Sequence, residues 1–246
     1  VVFAALVIIP TLAPLEVITD YRPKIPLRIY SAEGLLIGEF GEERRDFVTI
    51  RETPTFLKKT ILAAEDDRFY QHGGVDYIGV LRAAYSNFSG GGVLQGASTI
   101  TMQVARNFFL TKEKTLTRKF SEALLAFKIE HSLEKDKILE LYINQIYLGQ
   151  RSHGFSAAAQ TYFGKPLISI NLAEAAMLAG LPKAPSRLNP VVDLKRSKAR
   201  QHYVLKRMHE LSYISAKEFE EAEKQSILIH RQTRINAMPA DHIVEM

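Results

Sequence analysis

Three consecutive acidic residues, Glu65, Asp66 and Asp67, stand near the end of an apolar stretch with helical spacing. The helix dipole disfavours negative charge at a helix C-terminus, so carboxylates at that position are unusual. A carboxylate with apolar neighbours such as Phe69 is expected to have a raised pKa and to accept or donate a proton. The alternative is a solvated acidic turn with Arg68 as the local counter-charge. The spacing alone leaves both interpretations open.

A glycine-rich stretch followed by hydroxyl residues forms the second candidate. Residues 89–96 contain four glycines and lead into Ser98 and Thr99, either of which can cap the next helix. A capped helix N-terminus after such a loop is receptive to anions. One turn further, Gln103 and Arg106 share a face and can add a hydrogen bond and a positive charge. The stretch lacks the Gly-Lys-Ser/Thr of a P-loop, and an ordinary capped surface helix is the alternative.

A group of cations near the start of another helix is the third candidate. It consists of Lys112, Lys114, Arg118 and Lys119, and Glu122 follows four residues after Arg118. Such a cluster suits a diphosphate, because guanidinium and ammonium groups bind phosphate oxygens. Arg118 and Glu122 are also spaced as an ordinary surface ion pair, which is the alternative.

Glu140 and Asn144 form the fourth candidate, because they lie four residues apart on one face of a later helix. They can belong to an active site, with Tyr147 and Gly149 close behind. A buried polar pair that only supports the fold is the alternative.

Several other kinds of chemistry are excluded by the residues themselves. The chain has no cysteine, which excludes disulfides and thiolate metal sites. No His/Asp/Glu set has metal-ligand spacing, and no serine stands in a Gly-x-Ser-x-Gly elbow. The single Ser-x-x-Lys, Ser132 to Lys135, has no Ser-Asp-Asn or Lys-Thr-Gly partner motif. The formal net charge of +5 permits anionic partners without selecting one.

The elements that must position these residues are mostly helical. Residues 23–52 read as a β-rich segment with a hairpin turn at 31–34, and Thr53 and Pro54 are the expected N-cap and first residue of a helix. Residues 53–211 form the predicted catalytic domain, which is mainly α. Its expected helices include 77–87, 115–133, 136–148, 172–181 and 195–211. Residues 212–246 are expected to hold a short helix over 216–225 and a linker toward a transpeptidase domain.

The first residues of the chain predict a membrane anchor. Residues 1–15 carry no charge but are fewer than the roughly 20 apolar residues that span a bilayer. They have neither the basic start nor the small-residue cleavage site of a signal peptide. We therefore interpret residues 1–22 as the outer end of a transmembrane helix. A buried core helix is the alternative, against which Pro10 and Pro14 argue.

In their order along the chain, these motifs resemble those of the bacterial peptidoglycan glycosyltransferases of family 51. The resemblance rests on Glu65-Asp-x-x-Phe-x-x-His-x-Gly74, Gly96-x-Ser-Thr-x-x-x-Gln103, Arg118-Lys-x-x-Glu122 and Ile138-Leu-Glu-x-Tyr-x-Asn144. A later Ala173-Glu-x-Ala-x-Leu-Ala-Gly180 is similar to the last motif of that family. The extended stretch from Pro26 to Gly34 resembles class A penicillin-binding proteins of the 1a type.

The resemblance implies a lysozyme-like glycosyltransferase fold with a membrane-facing jaw. It implies that lipid II is added to a growing glycan strand through β-1,4 linkages, with inversion and release of undecaprenyl diphosphate. Glu65 matches the catalytic base of the family and Glu122 its second catalytic carboxylate. The resemblance allows a divalent cation, Mg²⁺ or Mn²⁺, at the diphosphate and implies no organic cofactor. The positions that match substrate-binding residues are Asp66, Phe69, Ser98, Thr99, Gln103, Arg106, Lys114, Arg118, Lys119 and Asn144.

The resemblance also implies a cellular setting. It puts the protein at the inner (plasma) membrane, with a single-pass anchor and a catalytic domain on the periplasmic face, where cell-wall synthesis regulators are candidate partners. Nucleic acid is not an expected partner, because the basic residues are not interleaved with aromatic platforms. Two positions depart from the family pattern. Met102 stands where many members carry a second glutamine, and Lys114 stands where arginine is common, which loses bidentate geometry.

Two other functions stay open at this stage. A lytic enzyme of lysozyme type shares the fold but needs neither the basic cluster nor a lipid-bearing substrate. A membrane-tethered scaffold with a degenerate site only binds the precursor. The products separate the three, since synthesis lengthens glycan, cleavage shortens it and a scaffold does neither.

Overall fold

The structure is a computed structural model. It describes residues 27–33, 36–40, 44–88, 98–109 and 116–230. The predicted anchor, the whole glycine-rich stretch (residues 89–96), and both Lys112 and Lys114 lie outside these described residues.

The segment before the helices contains the predicted hairpin. Strand β1 (Leu27–Tyr30) pairs antiparallel with β2 (Leu36–Phe40), and Leu27 lies opposite Phe40. A second, parallel pairing was not predicted: β3 (Arg44–Arg45) lies beside β4 (Ser152–His153). Because this contact joins residues more than a hundred positions apart, no local sequence pattern reports it.

The rest of the described chain is mainly helical, which confirms the predicted fold class. The helices are α1 (Thr55–Glu65), α2 (Tyr77–Phe88), α3 (Ile100–Phe109), α4 (Leu116–Ser132), α5 (Lys135–Gln145), α6 (Phe155–Phe163), α7 (Leu172–Ala179), α8 (Leu194–Glu210) and α9 (Ala216–Lys224). Short 3₁₀ turns lie at Phe69–Gln71, Leu167–Ser169 and Leu181–Lys183.

The core brings the ends of distant helices together. Helix α7 is buried along residues 173–179, as its almost entirely apolar sequence predicts, and it packs against α1 and α8. Helix α3 packs against α4 and α5. The C-terminal end of α1 is thereby held between two helix groups, one built on α8 and the other on α3.

Two predicted helix boundaries are wrong. Helix α1 begins at Thr55 with Pro54 as its N-cap, and the Thr53 hydroxyl donates a hydrogen bond to Thr49 O (2.9 Å) instead of capping. Helix α5 ends at Gln145, three residues before the predicted end. It ends there because Ile146 is extended and its carbonyl accepts from Gly154 N (2.9 Å), which commits the chain to the pairing with β4.

Glu140 and Asn144 hold the chain that enters α1, here named the lead-in segment (residues 46–50). The Asn144 side chain accepts from Val48 N (2.9 Å) and donates to Val48 O (2.8 Å). Glu140 Oε2 accepts from Ile50 N (2.9 Å). Both side chains are buried, so the arrangement is the buried polar pair that was the alternative to an active-site role.

Helix α2 presents an apolar face to solvent. Tyr77, Ile78, Leu81 and Tyr85 on this helix are all more than half exposed, and Tyr77 stacks on Phe127 of α4 with ring centroids 6.5 Å apart. A contiguous group of this size on one helix is more than scattered surface apolar residues, and such patches mark interaction surfaces. Among the described residues, no helix has the length and apolar character to cross a membrane.

Candidate active site

Glu65 is the last residue of α1, and its carboxylate lies in a nearly dry setting. Its side chain is only 12% exposed. Gln103 of α3 donates a hydrogen bond from Nε2 to Glu65 Oε2 (2.8 Å). Burial raises the pKa of Glu65, and the bond from Gln103 together with the nearby Arg200, Arg106 and Lys183 offsets part of that rise. Glu65 therefore combines the two properties of a general base, which are a raised proton affinity and an open cleft in front of it.

Asp66 fixes the position at which α1 ends. Its carboxylate accepts from Ile100 N (3.0 Å), which opens α3, and from His72 Nε2 (3.0 Å). His72 Nδ1 accepts from Gly74 N (3.2 Å), so the ring is the tautomer that carries its proton on Nε2. Asp66 is thereby an anchor between the end of α1 and the start of α3.

Helix α3 begins with the predicted cap. The Thr99 hydroxyl accepts from Met102 N (3.1 Å) and donates to Gly74 O (2.5 Å), so of the two candidates Thr99 is the cap and Ser98 is not. Ser98 instead accepts from Lys119 Nζ (2.7 Å). The predicted shared face of Gln103 and Arg106 follows from this start.

Glu122 is the centre of a cluster of cations. Its side chain is fully buried on α4, with Arg118 bonded to Oε1 and Lys119 Nζ 2.7 Å from Oε2. Arg106 of α3 brings a third cation to 4.0 Å. Counted over these described side chains, one carboxylate stands against three cations, and all three cations are partly exposed. We call Arg106, Arg118 and Lys119 the cation cluster. Because Glu122 is fully buried and three cations surround it, the arrangement is not the ordinary surface ion pair between Arg118 and Glu122 that was the alternative.

Arg106 connects the two carboxylates. It lies 4.0 Å from Glu122, and its charge also favours the ionised form of Glu65. Because Gln103 and Arg106 are one turn apart on α3, a single helix face contacts both the candidate base and the cation cluster. Glu65 and the cluster therefore belong to one site.

The site opens into a cleft of about 390 Å³. Residues from α1, α3 and α8 line it, and the α8 contribution was not predicted. Arg200 Nη2 lies 4.0 Å from Glu65 Oε1, and its guanidinium group lies 4.5 Å from the centre of the Tyr203 ring. Arg207 and Lys183 line the same wall. Arg200, Tyr203 and Arg207 are spaced by three and four residues on a basic amphipathic helix, which is the signal that could have identified them.

Asp67 ties the walls of the cleft together. Its carboxylate accepts from Arg207 Nη2 of α8 (2.8 Å) and lies 3.4 Å from Arg82 of α2. The three consecutive acids thus have three different surroundings, and the solvated acidic turn of the alternative is excluded.

Two of the predicted substrate-binding residues lie away from the cleft lining. Phe69 is fully buried, with Lys135 Nζ 4.4 Å from its ring centre, and Asn144 binds the lead-in segment. The other described ones either line the cleft or, like Arg118 and Lys119, surround Glu122. Their contacts with substrate stay predictions. Among the residues that the structure describes, no group of three His, Cys, Asp or Glu side chains could hold a metal ion.

The family model for transglycosylases matches residues 33–209, which is more than two thirds of the chain. The chain belongs to the transglycosylase family. It is 53% identical over its full length to penicillin-binding protein 1A of Neisseria flavescens, of which it covers 31%. It is 52% identical over 90% of its length to penicillin-binding protein 1A of Haemophilus influenzae, covering 26% of that protein.

A solved structure supports the family assignment. The crystal structure of penicillin-binding protein 1A from Haemophilus influenzae matches 85% of this chain with a TM-score of 0.50 and, in the structural comparison, 33% identity. The chain covers 22% of that structure. This transglycosylase therefore spans about a third or less of the length of the relatives it matches. The resemblance to 1a-type proteins is confirmed.

Proposed function

We propose that this transglycosylase polymerises lipid II into β-1,4-linked glycan strands. The observation that carries the proposal is the pairing, in one site, of a largely buried carboxylate at Glu65 with the cation cluster around Glu122, of which Arg106 lines the cleft. Joining a sugar hydroxyl to a diphosphate-linked sugar needs one group to take a proton and others to hold the departing negative charge. The cleft offers both.

In the proposed step, Glu65 takes the proton of the 4-hydroxyl group of the acceptor sugar. The oxygen attacks the anomeric carbon of the donor as the bond to the diphosphate oxygen breaks. The electron pair of that bond leaves with undecaprenyl diphosphate, and a single displacement of this kind inverts the anomeric centre. The proton on Glu65 passes to solvent before the next addition.

The cation cluster is proposed to hold the diphosphate. Arg106, Arg118 and Lys119 are partly exposed, whereas the carboxylate that orders them is fully buried. Fixed charges that need no reorganisation stabilise a developing anion better than mobile ones. Glu122 is then a positioning residue: it holds the cations in place and leaves their excess charge for the leaving group.

The divalent cation expected from the resemblance finds little support in this donor set. Both Glu122 oxygens already accept from cationic side chains, and Mg²⁺ and Mn²⁺ prefer oxygen ligands that are free to coordinate. The residues do not fit a resident cation at Glu122. The proposed step therefore uses none.

We also propose that the protein works on the periplasmic side of the inner membrane. The periplasmic side is taken from the family resemblance, and the apolar face of α2 supports contact with the membrane, because a lipid-linked substrate keeps its polyprenyl tail in the bilayer and the enzyme must approach it. Vesicle flotation of Leu81→Glu tests this contact against Leu228→Glu, since Leu228 is 86% exposed but lies outside that face. Weaker flotation with Leu81→Glu than with Leu228→Glu is expected, and equal behaviour of the two variants contradicts the contact.

Polymerisation of lipid II in detergent, with products sized on a gel, tests the reaction. The parent protein is expected to make long glycan, and Glu65→Gln none. Glu220→Gln is the matched control, because it makes the same change on the exposed face of α9. Shortening of added glycan by the parent would establish the lytic enzyme instead. Binding of lipid II without any product would establish the scaffold.

A further inference from the structure

Within the described part of the chain, Tyr142 has a hydroxyl group without a partner, and it lies on α5, which packs against the helix α3 that carries Gln103, the hydrogen-bond donor to Glu65. It is fully buried on α5, in the row of buried residues that runs from Ile138 to Asn144. Among the described residues its hydroxyl has no hydrogen-bond partner. A buried hydroxyl without a partner costs free energy, and native proteins seldom keep one without a reason.

The charged groups around this hydroxyl are those of the active site. Burial holds the pKa of Tyr142 well above its usual range, and the next cause is the negative charge of Glu65. Asp66 adds to the rise of that pKa, whereas the positive charges of Arg106 and Arg200 offset part of it. The phenol therefore stays neutral and keeps its proton. A neutral phenol beside carboxylates is a hydrogen-bond donor.

Glu65 is the carboxylate with room for this donor. Asp66 Oδ2 already accepts from Ile100 N, and His72 Nε2 bridges both Asp66 oxygens at 3.0 and 3.1 Å. Glu65 accepts from Gln103 at Oε2, and Arg200 Nη2 at 4.0 Å from Oε1 is too far for a hydrogen bond. An ionised carboxylate accepts about four hydrogen bonds in all, so Glu65 has acceptor sites to spare.

We propose that Tyr142 is a positioning residue for the base: its hydroxyl donates a hydrogen bond to the Glu65 carboxylate when that carboxylate turns to the acceptor sugar. This inference rests on the proposed function. The bond holds Glu65 in its ionised form and in one orientation from the buried side. Substrate approaches from the cleft side, so the two contacts do not compete.

Tyr142→Phe tests the inference because it removes the hydroxyl and little else. If the hydroxyl serves Glu65, kcat of lipid II polymerisation falls about tenfold near neutral pH while KM is unchanged, since a hydrogen bond to a charged group is lost. The acidic limb of the pH profile moves to higher pH, because the ionised form of Glu65 loses a donor. The deficit therefore shrinks as the pH is raised. The melting temperature stays the same or rises, because an unpartnered hydroxyl is removed.

Tyr162→Phe is the matched control. Tyr162 is also a fully buried tyrosine, but its hydroxyl donates to Leu148 O (2.8 Å) away from the cleft. This variant is expected to melt at a lower temperature and to keep the pH profile of the parent. If the parent polymerises and Tyr142→Phe keeps the parental kcat and pH profile, the inference is overturned while the proposed function stands. A parent that does not polymerise overturns both.

Discussion

Glu65 and Glu122 are the same residue type, lie in one site and have opposite surroundings. Glu122 has no exposed surface, and two cations bond directly to its oxygens. Glu65 is slightly exposed, its hydrogen-bond partner is the neutral amide of Gln103, and Arg200 stays 4.0 Å away. Glu122 is thereby held in place through ion pairs at both of its oxygens. Glu65 has a raised pKa and can take a proton.

The difference shows how one chemical group obtains two roles. A carboxylate in direct ion pairs gives up its proton affinity and becomes part of a charged frame. A carboxylate that is buried beside a neutral donor has a raised proton affinity and can act as a base. Each prediction below tests whether the two glutamates differ in this way, and the largest expected effect comes first.

Glu65→Gln is expected to lower polymerisation by a factor of about 10² to 10⁴, because a general base contributes that much to a rate. The fold should be unaffected, since glutamine keeps the shape and can still bond to Gln103. Initial rates and circular dichroism on the same sample measure the two effects. A variant that keeps a tenth or more of the parental rate would remove Glu65 from the proposed step.

The main expected effect of Glu122→Gln is a loss of stability. Removing the charge leaves three cations facing one another around a buried amide, which costs about 3 kcal/mol of unfolding free energy, a value toward the lower end for buried pairs because the cations are partly exposed. Urea titration measures it. Glu130→Gln, which replaces another buried carboxylate paired with Lys135 outside the cluster, is the comparison. If Glu122→Gln is as stable as the parent protein, the proposed role of Glu122 in holding the cations in place is contradicted.

The pH dependence of stability should report the raised pKa of Glu65. The folded protein raises the pKa of Glu65, so it binds that proton more tightly than the unfolded chain does. The contribution of Glu65 to stability is therefore fully present below its unfolded pKa and is lost as the pH rises through the folded pKa. Against Glu65→Gln, the parent should lose relative stability from about pH 4 upward. Thermal unfolding from pH 4 to pH 8 measures the difference, and a constant difference would contradict the raised pKa.

Gln103→Met gives the smallest expected effect. It removes the amide donor to Glu65 and leaves the cations in place, so the acidic limb of the polymerisation profile should move to higher pH. The rate at pH 6 is expected to fall by about tenfold or less, with little change at pH 8. Met102 stands where many family members carry a second glutamine, so Gln103 is the one glutamine at this pair of positions. A uniform loss at every pH would point to misplacement of α3 instead.

The fold class could be predicted from local patterns. Helical periodicity, the apolar α7 and the hairpin turn each act within a short stretch, so the sequence reports them directly. The three acids at residues 65–67 stood out because negative charge at a helix C-terminus conflicts with the helix dipole, but the choice of Glu65 among them came from the family resemblance. Thr99 could be named as one of two capping candidates, because a hydroxyl residue just before a helix can cap it.

What escaped prediction depends on contacts between distant parts of the chain. Arg200 reaches the cleft only because α8 packs on α7 and α1, and a basic amphipathic helix alone does not say what it faces. The β3–β4 pairing and the early end of α5 have the same origin. Asn144 carries a family motif, yet its amide bonds lie with Val48, a partner that spacing along one helix cannot reveal.

The bonds from Asn144 and Glu140 to the lead-in segment also bear on the order of folding. They close loops of 96 and 90 residues, so the backbone groups of Val48 and Ile50 find these partners only after α5 has been synthesised. Contacts of such long range carry their loop-closure cost before they return any stability. The chain leading into α1 is therefore expected to dock late, so Glu65 at the end of that helix reaches its final position only when the middle of the protein is already in place.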